Sequence, residues 1–79
     1  MWYVIDTRDQ IRPGTAGARV GTVVSAHRSR KAAEAADSAY QRRVKRASGN
    51  NTSYMPTRIE ELTNRHKVGG IVSWSDIRG

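Results

Sequence analysis

Hydrophobic and polar positions divide the chain into short segments of different period. Trp2, Tyr3, Val4, Ile5, Asp6 and Thr7 are mostly aromatic or β-branched, with two-residue alternation available on either face, and predict a strand. Gln10 to Gly17 holds Pro13, Gly14 and Gly17 and predicts a loop. Arg19 to His27 carries Val20, Val23 and Val24 and predicts a second strand. The loop is long enough for an open hairpin, so the two strands are expected as antiparallel neighbours. Ser29 has N-cap chemistry, and a helix is predicted from Arg30 to about Ala47. Its alanines favour that state, and Ala33, Ala36, Tyr40, Val44 and Ala47 recur at spacings of three and four to give one apolar stripe. Gly49 is the expected helix stop.

Beyond a polar loop at 49–53 the pattern supports two readings. Thr57 and Glu60 have capping-box spacing, and Ile59 and Leu62 stand three apart, as in a short helix. Alternatively, Thr57 to Leu62 forms a strand, Lys67 to Gly70 a hairpin turn, and Ile71 to Ile77 another strand. The strand reading is preferred. It gives an α+β class: one helix packed on an antiparallel sheet of three to four strands, β-β-α-β-β, in a single domain over residues 1–79. The expected core joins Trp2, Val4, Val23, Ile71 and Trp74 to Tyr40 and Val44. With no phenylalanine it is thin, and a homodimer would bury more of it.

Charge changes the picture most. Fourteen Lys and Arg oppose seven Asp and Glu, for a net charge of +7, and 11 of the 14 are arginine. Arginine forks onto carboxylate and phosphate and stacks on rings. Seven of the basic residues fall between Arg28 and Arg46. Their order along the helix, acids first and bases last, suits the macrodipole, but the dipole does not require so many. The candidate partner-binding residues are Arg42, Arg43, Lys45 and Arg46, with Arg28 and Arg30. The expected partner is a polyanion: nucleic acid, or an acidic surface on a nucleic-acid-processing complex.

Candidate chemistry is sparse. There is no cysteine, and the glycines match no phosphate-binding loop or dinucleotide fingerprint. His27 and His66 stand in no metal-ligand spacing and read as ordinary polar residues. Asp6 and Asp9 read as ion-pair partners of Arg8, Arg12 or Arg28. No serine has a visible base. Asn50 and Asn51 begin Asn-x-Ser/Thr triplets, read as chance matches. The expectation is a non-enzyme with no catalytic residue, metal or cofactor. With neither signal-peptide pattern nor membrane span in the sequence, it is placed in the cytoplasm of a bacterial cell. No helix-turn-helix, zinc finger or RRM signature accompanies the charge.

In size, in its compact α+β pattern, in its want of a catalytic constellation and in its skewed charge, the whole chain resembles the small phage and mobile-element anti-CRISPR proteins that block type I surveillance complexes. Those proteins share no common motif, so the resemblance carries over no functional residue. Many of them are acidic and imitate DNA, which this basic chain cannot do. The resemblance implies stoichiometric docking without turnover. The alternative expectation is a direct DNA- or RNA-binding regulator, and a third is an assembly subunit.

Overall fold

Trp2, Tyr3, Val4 and Ile5 belong to the best-buried stretch of the chain, and the fold is built on the strand they form. In the computed structural model, which describes residues 1–47 and 56–78, β1 (Trp2–Asp6) pairs antiparallel on both sides. Its neighbours are β2 (Gly21–His27) and β3 (Thr57–Glu61). A short β4 (Ile71–Val72) extends β2, giving the sheet order β3-β1-β2-β4. The long helix α1 (Arg30–Ala47) follows β2, and a one-turn helix α2 (Trp74–Arg78) follows β4. The α+β class, the antiparallel β1-β2 pair and the extent of α1 agree with the sequence reading.

Register fixes which side chains share a face. Val4 pairs with Ser25 but Ile5 with Val23, so Val24 is the extra residue of a bulge. On one face, Trp2, Val4 and Asp6 stand beside Thr57 and Ile59 under α1, where Ala33 is fully buried. On the other face, Tyr3, Ile5, Val20, Val23, Leu62 and Val72 form the main core, with Ala26, Trp74 and Ile77 packed against it. Both faces of this small sheet are therefore covered, and each layer is thin.

Several expectations are corrected. The strand from Ile71 to Ile77 ends at Val72. Ser73 and Asp76 then cap α2: the Ser73 amide and hydroxyl each donate to the Asp76 carboxylate at 2.9 Å, and the Asp76 amide returns to the Ser73 carbonyl at 3.2 Å. Lys67 to Gly70 does turn, with Gly69 at φ 87°, but β3 and β4 lie at opposite edges and form no hairpin. Val23 belongs to the core opposite α1, because alternate strand residues project to opposite faces, and Trp74 packs against that same core from α2. Ile71 is 57% exposed and outside the core. On the helix stripe Ala47 is exposed, while Ala36, Tyr40 and Val44 are half-buried. The expected stop at Gly49, the loop 49–53, both Asn-x-Ser/Thr triplets and Tyr54 lie outside the described residues.

Candidate interaction face on the long helix

α1 begins as its sequence dictates. The Ser29 hydroxyl accepts the Ala32 amide at 3.1 Å, and Arg30 and Glu34 pair one turn apart at 3.5 Å. The helix has 18 residues, about 27 Å at the usual rise. Its inner side divides by strand. Asp37 and Gln41 reach β3, where the Thr57 hydroxyl donates to Asp37 at 2.7 Å and the Gln41 amide donates to Thr57 at 3.0 Å. Tyr40 reaches β1, where its hydroxyl donates to Asp6 at 2.9 Å. Ala36, Ala39 and Arg43 flank β2 and, with Val24, Ser25 and Tyr40, line an open groove of about 340 Å³.

Asp6 is the one buried acidic residue among the described residues. Burial acts against its charge. The Arg8 guanidinium, in a 2.7 Å ion pair, the Arg8 amide and the Tyr40 hydroxyl together outweigh burial and hold the carboxyl below its ordinary pKa. Burial, then the bond to Asp6, pushes the Tyr40 phenol up. The pair is a structural tie between α1 and β1. Asp9 pairs instead with Arg19, at 3.5 Å.

The outer side of α1 is exposed at Lys31, Ala35, Ser38, Arg42, Lys45 and Arg46, while Ala39 and Arg43 are exposed at its border with the groove. Arg42, Arg43, Lys45 and Arg46 crowd the last two turns, as the sequence reading proposed. Arg28 and Arg30, also exposed, lie at the other end, Arg30 about 24 Å from Arg46 along the axis at helical rise. They form a separate pole, where the Arg30 guanidinium sits 5.8 Å from the Trp2 ring centre. At the first pole, Arg43 stacks 5.5 Å from the ring centre of Tyr40. Among the described residues, no carboxylate pairs with Arg42, Arg43 or Arg46.

Among the described residues, the remaining aromatics and the histidines are bound into the fold. Trp74 donates its indole N–H to the Ile11 carbonyl at 2.8 Å, and Arg58 faces its ring. His66 meets Tyr3 edge-on, while His27 bonds Ser25. Among the described residues, no group of three or more His, Asp and Glu side chains could hold a metal, and no helix is long and apolar enough to cross a membrane. Reasoning from sequence missed the groove beside β2. The i,i+3 spacing of Tyr40 and Arg43 was its visible trace.

No family model, curated protein or solved structure matches this chain.

Proposed function

We propose that this chain is a small basic binding protein that acts by occupancy. The last turns of α1 dock on an acidic surface of a nucleic-acid-processing complex, in the manner of anti-CRISPR proteins that block type I complexes in the bacterial cytoplasm. One observation carries the reading: three exposed arginines, Arg42, Arg43 and Arg46, share one pole with no carboxylate to neutralise them among the described residues. Six of the seven acidic side chains are engaged elsewhere, Asp6 by Arg8, Asp9 by Arg19, Glu34 by Arg30, Asp37 by Thr57, Glu60 by Arg58 and Asp76 by Ser73. A partner carboxylate or phosphate supplies what the fold withholds.

The test is titration against a purified type I CRISPR complex, reading target-DNA binding and the mass of the assembly. Occupancy requires inhibition that saturates mole for mole, with both partner masses unchanged. Full inhibition at a tenth of the complex concentration rejects it, and no effect at large excess rejects this partner.

A second reading, direct nucleic-acid binding, has its own support. Small exposed residues, Ala35, Ser38 and Ala39, lie between the basic poles, leaving the helix slender enough for a major groove about 12 Å wide. A gel shift on duplex DNA and RNA that weakens steeply with salt selects this reading.

A further inference from the structure

The groove between α1 and β2 coincides with an open strand edge. β4 covers β2 only at Gly21 and Thr22, and the turn adds bonds only at Val23, to the Gly70 carbonyl and from the Gly69 amide. Among the described residues, no backbone bond from β4 or its turn reaches β2 at Val24–His27. An exposed strand edge is a template for another extended chain.

Three features surround that edge. Its floor and wall are small or apolar: Val24 and Ser25 below, Ala36 and Ala39 beside. Arg43 is held at the rim by its stack on Tyr40 and lacks a carboxylate partner among the described residues. Two exposed aliphatics lie on the β4 side: Val68, 68% exposed in the turn, and Ile71, 57% exposed. Ile71 pairs with Thr22, which pairs with Asp6 under α1, so Ile71 projects from the same face as the groove.

We propose that an extended segment of a partner protein adds as a strand along Val24–His27, running in the groove with an acidic side chain on Arg43. Resting on the docking reading above, this identifies what docks there. Backbone hydrogen bonds to β2 supply the common term, since they need only an extended chain. Ala36 and Ala39 leave room for alternate side chains of the added strand, and Ile71 and Val68 offer apolar contact beyond the groove. Arg43 sets the sign of the preferred side chain. Aliphatic rims and a strand edge fit a peptide better than a nucleic acid, which presents no backbone amides to a sheet.

The experiment is an NMR titration of the full chain with a capped peptide of alternating valine and glutamate. A lysine-for-glutamate peptide and a short DNA duplex serve as comparators. The expected result is shifts at the Val24–His27 amides, Ala36 and Ala39 with the glutamate peptide alone. Arg43→Glu should weaken binding about tenfold or more, the loss of one charge-assisted contact. Ala39→Trp, at an exposed helix position, should fill the groove and abolish the shifts. Arg65→Glu, altering an exposed arginine outside both the groove and the pole, should keep the same amides shifting. No shift at these amides at millimolar glutamate peptide overturns the inference, as does an equal response to the lysine peptide or to DNA. The docking reading is judged separately: inhibition of the complex that survives Ala39→Trp but fails in Arg42→Glu/Arg43→Glu/Arg46→Glu retains docking and discards the groove.

Discussion

The Tyr40 hydroxyl donates a 2.9 Å hydrogen bond to the Asp6 carboxylate, tying the middle of α1 to the end of the central strand. The same carboxylate takes both the side chain and the amide of Arg8. The bond therefore sets where the helix sits over the sheet, and with it the position of Arg43 one turn further on.

Tyr40→Phe removes that bond while keeping the ring. It should lower stability by about 1 kcal/mol, the net worth of a typical hydrogen bond, with somewhat more because the acceptor is charged. Denaturant melts of the two proteins measure it. An unchanged midpoint contradicts the tie.

Acid should destabilise the fold through Asp6 and Asp76. Burial of Asp6 is outweighed by its bonds to Arg8 and Tyr40, while Asp76 is lowered first by the Ser73 amide. For a depressed carboxyl, the native state holds its proton less tightly than the unfolded chain. The contribution is therefore present above the unfolded value of 3.8 and lost as pH falls below it through the folded values. Tyr40 has the opposite sign of shift: its contribution is full below 10.0 and lost as pH rises beyond it. Melting temperature against pH should fall at both ends, with the acid limb shallower in Asp6→Asn.

Asp76→Ala removes both bonds from Ser73 and should fray α2. The cost is about 1 kcal/mol, typical of a lost cap. Exchange of the α2 amides should quicken while those of β1 change less, because β1 is held on both sides.

Among the described residues, Gly21 is the glycine with least room. A Cβ there meets the Asp6 backbone carbonyl and the Ile5 side chain, both in the central strand. Gly21→Ala should cost about 1–3 kcal/mol as an overpacked position, measurable by thermal melting. Gly14, whose would-be Cβ meets nothing within 4 Å, tests only positive φ and makes the comparison.

Much of this architecture was legible because it is local. The alanines and Ser29 predict α1, and alternating residues predict β1 and β2. Ser73-x-x-Asp76 and Thr57-x-x-Glu60 show the limit: both have capping-box spacing, yet the first caps a helix and the second lies in a strand. Thr57 is drawn into the sheet by its pairing with Asp6 and its bond to Asp37, contacts remote in sequence. The strand order, and with it the split of Trp2 and Trp74 between faces, depends on such pairings too. The arginine pole was readable from spacing. The open edge beside it depends on where β4 stops, which no local pattern encodes.

The proposed function rests on docking of the arginine pole of α1 to an acidic partner. Its most direct test is equilibrium binding of the chain and of Arg42→Glu/Arg43→Glu/Arg46→Glu to the purified type I complex at low and moderate salt, with circular dichroism confirming the fold of the variant. Docking through the pole requires mole-for-mole binding that weakens with salt, and a folded variant that no longer binds. A folded triple variant that binds as tightly as the parent contradicts it.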